Sequence, residues 1–275
     1  MGIQFKKSEG QHMLINTTSI DKIIERAKIK HTDTILEIGS GTGNITMKLL
    51  EKAKKVIAFE PDRKLTKELK NKLYGNKVMM NKLKIIEDDA LETEWPYFDK
   101  MISNIPFNIS LPIILKLIQN NFHSAYILVQ KEFADRLFAG PGDKNYSRLS
   151  VSFQAKFKAE HIMKVKKSSF IPQPKVDTCW IRIGRRQDVR EIDIKQFDVL
   201  MKILFGRKNK TLLGNLNTPQ FYKFLKETEH EKTPKKFIDD VLDDLNMKST
   251  KVSKMSLKHF YKLFDHLKEK GINFE

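Results

Sequence analysis

At 275 residues, 40% of them hydrophobic and 31% charged, the chain has the composition of a globular protein and the length for one sizeable domain plus a smaller one. Its longest apolar runs, such as residues 125–129, are far too short to cross a bilayer, no signal-peptide stretch opens the chain, and the single cysteine, Cys179, excludes an intrachain disulfide and points to a reducing compartment. Lys and Arg outnumber Asp and Glu by 51 to 34, a formal charge of +17, so a polyanionic partner such as nucleic acid is expected.

The predicted elements alternate. After the capping run Thr17-Thr18-Ser19, the helical spacing of Ile20, Ile23, Ile24 and Ala27 predicts a helix over residues 20–27. A buried strand follows over 34–39, a helix over 45–50, a strand over 56–60, a charged amphipathic helix over 62–73, and strands over 83–86 and 98–103. Ser110 can cap the next helix, whose first turn tolerates Pro112 and whose apolar face is Ile113, Ile114, Leu117 and Ile118. A strand over 125–129 completes the run. This order predicts an α/β fold with a doubly wound, Rossmann-like sheet. A strand over 176–183 ends the β character, and helices are expected over 197–205, 219–225, 234–245 and 256–270. The predicted division is therefore an α/β domain over 1–185 and a smaller helical domain over 186–275.

The glycine loop carries the first chemistry. Gly39, Gly41 and Gly43 lie between a strand and a helix, where bare backbone lets a ligand approach. Dinucleotide enzymes use G-x-G-x-x-G, but here the third glycine comes one residue early. The tighter spacing, with Glu37 two residues before Gly39, suits S-adenosylmethionine (SAM) better. Glu60 ends the next strand, where a carboxylate can accept both ribose hydroxyls, and Asp89 ends the one after, where it can accept from an adenine amino group.

The strand over 98–103 leads into Asn104-Ile105-Pro106-Phe107, beside the expected position of the sulfonium methyl. An exocyclic amine is a poor nucleophile because its lone pair is delocalised into the ring. The Asn104 side-chain oxygen and the Ile105 carbonyl can each accept one N–H, aiming that lone pair at the methyl. Pro106 fixes the turn, and Phe107 offers a face on which an extruded base can stack, worth roughly 1–3 kcal/mol. Taken alone, such a tetrapeptide reads equally as a turn with a core phenylalanine. Its place one strand beyond the glycine loop favours chemistry.

Four motifs together, Gly10-Gln11-His12-Met13-Leu14, the loop from Glu37 to Asn44, Asn104-Ile105-Pro106-Phe107, and Phe170-Ile171-Pro172-Gln173-Pro174-Lys175-Val176-Asp177, resemble the rRNA adenine N6,N6-dimethyltransferases. Gln11-His12 and the 140–144 loop look most like the eukaryotic 18S small-subunit branch, and Arg207 to Leu212 resembles the opening of that branch's helical domain. The resemblance implies SAM as cofactor and transfer to two adjacent adenines in a loop near the 3′ end of small-subunit rRNA. It assigns the cofactor to Gln11, His12, Leu14, Gly39, Gly41, Gly43, Glu60, Asp89 and Asn104. Catalysis falls to Asn104, Ile105, Pro106 and Phe107, with Phe170 covering the other face of the target base. Family members often carry Tyr where this chain has Phe107; either ring can stack.

For RNA, the candidates are Lys156, Lys158, Lys164, Lys166 and Lys167 in one cluster and Arg207, Lys208 and Lys210 in the other. The seven histidines have no ligand spacing, so no metal is expected. The implied partner is small-subunit rRNA within a pre-ribosomal particle, with the protein a monomer in the nucleus or nucleolus, or in the cytoplasm. Two alternatives stand beside this: an assembly factor acting by occupancy of pre-rRNA, and a mitochondrial relative acting on organelle rRNA or on transcription.

Overall fold

In the computed structural model, which describes residues 12–225 and 233–275, the short apolar runs become strands because each can bury its side chains between helical layers. The full set of strands is β1 (Met13–Leu14), β2 (Thr34–Ile38), β3 (Lys55–Phe59), β4 (Leu83–Ile86), β5 (Lys100–Ser103), β6 (Ser124–Gln130), β7 (Phe157–Val165), β8 (Phe170–Ile171) and β9 (Thr178–Arg185). One 7-stranded sheet has the order β4-β3-β2-β5-β6-β9-β7. From β4 to β6 the neighbours run parallel, and β9 returns antiparallel to β6. The sheet is thus mixed at one side of a doubly wound parallel centre. The pair β1 and β8 stands apart, with Met13 opposite Ile171 and Leu14 opposite Phe170.

Helices α1 (Thr17–Arg26), α2 (Asn44–Lys52), α3 (Arg63–Lys72), α4 (Lys77–Lys82) and α5 (Ser110–Gln119) lie between these strands, and α6 (Lys131–Phe138) follows β6. The cap of α1 is Asn16 rather than the Thr17-Thr18-Ser19 run: its side chain accepts the Ser19 N–H at 2.8 Å, so the helix starts earlier than the apolar spacing suggests. Further on come α7 (Arg148–Lys156), α8 (Ile194–Phe205), α9 (Leu212–Leu216), α10 (Pro219–Tyr222), α11 (Pro234–Asp244) and α12 (Leu257–Glu269).

The chain divides into two units, Met1–Ala134 with Lys158–Arg185, and Asp135–Phe157 with Arg186–Glu275. A single cut at residue 185 therefore misses one segment. α7 buries Val151 and Ala155 in the same core as Phe197, Leu200 and Phe260, and Tyr146 Oη donates to the Met255 carbonyl at 2.9 Å, so 135–157 belongs with the helices. In the first unit, Ile35, Leu49, Val56, Ile102 and Trp180 are fully buried around the sheet. Cys179 is buried in β9, as a small sheet residue. No helix among the described residues is long and apolar enough to cross a membrane.

Function follows from the strand order. β2 has β3 on one side and β5 on the other, so the chain leaving β2 crosses one way and the chain leaving β5 crosses the other. Loops that diverge at such a switch point leave a crevice at the carboxyl ends of the strands.

Candidate active site

The two loops at that switch point are the glycine loop and the 104–107 segment, and the backbone brings them into contact. Gly39 adopts φ +73°, and a Cβ placed there would lie 3.3 Å from Pro106 Cδ and 3.5 Å from the Asn104 carbonyl oxygen. Glycine therefore permits both the turn and the close approach. At Gly41 a Cβ would meet nothing within 4 Å, because this side of the loop faces open space.

That space is a cavity of about 270 Å³, far more than the roughly 10–15 Å³ that one water needs. His12, Leu14, Gly39, Gly41, Glu60, Asp89, Asn104, Ile105 and Pro106 line it. Residues from His12 to Ile109 thus meet at one site. Gly43, Phe107 and Phe170 are absent from the lining, and Gln11 lies outside the described residues. The cavity also takes in Glu37, Ser40 and Asn108, to which the sequence reading gave no role. Only Glu37 carried a signal, as the acid two residues before Gly39.

The N-terminal segment is held by amides. Asn44 Nδ2 donates to the Leu14 carbonyl at 2.9 Å and Asn104 Nδ2 donates to the His12 carbonyl at 2.7 Å. With its nitrogen committed, the Asn104 amide has a defined orientation and its Oδ1 is left to accept from a ligand. The Ile105 side chain is buried beneath the turn.

Two carboxyl groups sit in this apolar surround. Glu60 accepts the Gly41 N–H at 2.8 Å and the Asp62 N–H at 3.1 Å, and burial raises its pKa. Glu37, 1% exposed, accepts the Thr46 hydroxyl at 2.6 Å. Burial pushes its pKa up to about 8, with repulsion from Glu60 adding to the rise. Asp89 is exposed at the rim, and its Oδ1 accepts the Leu91 N–H at 2.8 Å.

These groups fit the adenosyl and methionine parts of SAM. The Ser40 hydroxyl, buried in the glycine loop at the cavity wall, has no partner among the described residues and is the kind of group a bound carboxylate satisfies. Glu60 retains lone pairs for ribose hydroxyls beyond its two backbone bonds.

The aromatic residues differ from the expected open slot. Phe107 is 9% exposed and Phe170 1%. Their rings touch edge to face at 6.5 Å, and the His12 ring stacks on Phe107 at 5.3 Å with an interplanar angle of 27°. His12 Nδ1 also donates to the Pro172 carbonyl at 2.7 Å. These rings bury apolar surface against one another. His12 thus joins three of the four motifs, a role that no periodicity reveals.

The predicted RNA contacts fall in different units and different settings. Lys158, Lys164, Lys166 and Lys167 belong to the first unit and are exposed, and Lys167 Nζ donates to the Lys175 carbonyl at 2.7 Å. Lys156, Arg207, Lys208 and Lys210 belong to the second. There the Arg207 guanidinium donates to the Gly214 carbonyl, and Lys208 Nζ donates to the carbonyls of Lys144 and Tyr146 at 2.8 and 3.0 Å, so both heads serve the fold. Lys210 is exposed and Lys156 half-buried. Among the described residues no three His, Cys, Asp or Glu side chains gather as metal ligands.

A doubly wound sheet whose switch point joins a glycine loop, a buried glutamate at the end of β3 and an amide at the end of β5 around one cavity is an arrangement that SAM-dependent methyltransferases use. The family model described as "Ribosomal RNA adenine dimethylase" matches residues 2–267. The chain is 39% identical to the "Probable dimethyladenosine transferase" of Dictyostelium discoideum over 99% of this chain and 91% of that one. It is 35% identical to the "Dimethyladenosine transferase" of Schizosaccharomyces pombe over 98% and 92%. The crystal structure of a dimethyladenosine transferase from Plasmodium falciparum superposes with a TM-score of 0.88 at 36% identity, covering 96% of this chain and 100% of that one. The chain belongs to the ribosomal RNA adenine dimethylase family, in its eukaryotic branch, and is a SAM-dependent rRNA adenine N6,N6-dimethyltransferase.

Proposed function

We propose that this enzyme dimethylates two adjacent adenines in a loop near the 3′ end of small-subunit rRNA, acting as a monomer on a pre-ribosomal particle in the nucleus or nucleolus. The observation that carries the chemistry is the Asn104 amide: its nitrogen is tied to the His12 carbonyl at 2.7 Å, which leaves its oxygen to accept at the cavity. When bound, SAM supplies an electrophilic methyl group on its sulfonium.

Glu60 would hold the ribose, Asp89 the adenine amino group, and the Gly39 to Gly41 backbone with Ser40 the methionine end. Asn104 Oδ1 and the Ile105 carbonyl each accept one N–H of the target amine. That draws the nitrogen out of conjugation with the ring and points its lone pair at the cavity. Alkylation makes the nitrogen strongly acidic, so its proton passes to water and no side-chain base is required. The second transfer uses the same two acceptors with one N–H fewer, which requires room beside Asn104 for the first methyl.

Extruding the target base costs a few kcal/mol. Stacking on Phe107 offsets part of it, after the His12 ring now on Phe107 moves or shares the face. The test is incubation with labelled SAM and small ribosomal subunits, or their precursors, that lack the modification, followed by nucleoside analysis. The expected product is N6,N6-dimethyladenosine at two neighbouring positions. Label that stops at the monomethyl stage, or that reaches no RNA, would overturn the reading.

A further inference from the structure

Between β4 and β5 the chain folds into a small loop that starts at Asp89. Asp89 Oδ1 accepts the Leu91 N–H at 2.8 Å, and the Asp89 carbonyl accepts the N–H groups of Glu92 and Thr93 at 3.2 and 3.0 Å. These bonds close the loop on itself without anchoring it to the rest of the unit. The anchor comes from α5. Lys116 Nζ donates to three main-chain carbonyls of this one loop, those of Ala90, Leu91 and Thr93, at 3.0, 2.8 and 2.7 Å.

An ammonium group has three N–H donors, so this loop takes all of them. The buried Trp95 closes the arrangement. Its ring centroid lies 5.4 Å from Nζ, and its Nε1 donates to the Ala90 carbonyl at 2.7 Å. Holding a lysine in one geometry costs side-chain entropy that a merely solvated lysine does not lose. α5 begins at Ser110, just beyond the 104–107 segment, so one helix leaves the acceptor loop and anchors the loop of Asp89.

We propose that Lys116 is a positioning residue of the cofactor site: from α5 it fixes the loop that presents Asp89 to the cofactor's adenine amino group, without touching the cofactor itself. This rests on the reading of Asp89 as the adenine contact. Lys116 controls how firmly the adenine is held, and the methionine end, gripped by the glycine loop, is insensitive to it.

The test is a binding cycle by calorimetry on the full chain. Its probes are S-adenosylhomocysteine and the analogue in which hydrogen replaces the 6-amino group of its purine, each titrated into the parent and into Lys116→Met. The parent should prefer the amino ligand. In Lys116→Met, affinity for S-adenosylhomocysteine should fall about tenfold, of the order of one charged hydrogen bond, while affinity for the analogue hardly changes. A variant that binds both ligands as the parent does overturns the proposal. So does one that loses both equally, since that marks general damage to the unit. A parent that does not distinguish the two ligands removes the adenine role of Asp89 itself, and the role of Lys116 falls with it.

Discussion

An amide at position 104 combines two tasks that neither a carboxylate nor an aliphatic side chain can share: Nδ2 donates to the His12 carbonyl at 2.7 Å while Oδ1 remains an acceptor. Asn104→Ala removes both. Methyl transfer to rRNA should fall about a hundredfold or more, the scale seen when one oriented hydrogen-bonding group is lost from a reaction centre. Circular dichroism and the urea midpoint should stay near the parent's, because the side chain is only partly buried. A variant with near-parental turnover would remove Asn104 from the mechanism. Glu37 gives a pH prediction. Burial raises its pKa from 4.5 to about 8 in the folded protein, so the native state holds this proton more tightly than the unfolded chain does. The associated stability is fully present below about pH 4.5, declines as pH rises, and is lost once pH passes about 8. Each pH unit in that window is worth up to about 1.4 kcal/mol from this group. Glu37→Gln keeps the shape and an acceptor for the Thr46 hydroxyl but cannot ionise. Denaturant titrations from pH 5 to pH 9 should show a flatter decline for the variant than for the parent; parallel curves would mean that Glu37 is already ionised in the native state.

At the scale of elements, the start of α2 is the tightest junction. Gly43 is its N-cap at φ +88°, and a Cβ there would fall 2.3 Å from Cδ1 of Leu69, a fully buried residue of α3. Gly43→Ala therefore meets a left-handed backbone and an occupied space at once, and should destabilise the protein by about 1–3 kcal/mol in urea unfolding. Adding Leu69→Ala should relieve the overlap without relieving the backbone strain or the lost packing, so the double variant should remain less stable than the parent. Gly43 is absent from the cavity lining, and its missing Cβ lets α2 start against Leu69. The elements that sequence made legible are those whose pattern is local. The parallel strands are short apolar runs, and α3, α5 and α12 each show one apolar face. α7 was not legible because Leu149, Ser150, Val151, Ser152, Phe153 and Ala155 are all buried, which leaves no polar face to set a period. β7 was hidden for the opposite reason, since its exposed Lys158, Glu160, His161 and Lys164 read as a basic cluster. The site followed the same divide. Glu60, Asp89 and Asn104 were readable from their places at strand ends. The stacking of His12 on Phe107 and the capture of three carbonyls by Lys116 were not, because they join segments far apart in sequence.

At the scale of the whole molecule, a formal charge of +17 draws RNA phosphate to the surface, but charge alone does not say which lysines meet it. The structure separates two kinds. Lys158, Lys164 and Lys166 have exposed side chains, whereas Lys208 is half-buried and reaches inward to the carbonyls of Lys144 and Tyr146 at 2.8 and 3.0 Å. A lysine facing a phosphate contributes to the dependence of binding on salt, roughly 0.7 in log–log slope per contact on a single strand and about 0.9 on a duplex. Replacing Lys158, Lys164 and Lys166 together by Gln should therefore lower the magnitude of the slope for rRNA binding by about two to three when all three meet phosphates. The urea midpoint should barely move. Lys208→Met should behave in the opposite way, leaving the slope unchanged while removing about 1–3 kcal/mol of stability, because two carbonyls lose their charged donor. Anisotropy titrations at several salt concentrations, paired with urea unfolding of the same variants, read both quantities. If the triple variant keeps the parental slope, these three lysines are solvated surface and the RNA track runs elsewhere. If Lys208→Met lowers the slope at parental stability, its ammonium leaves the two carbonyls to meet a phosphate.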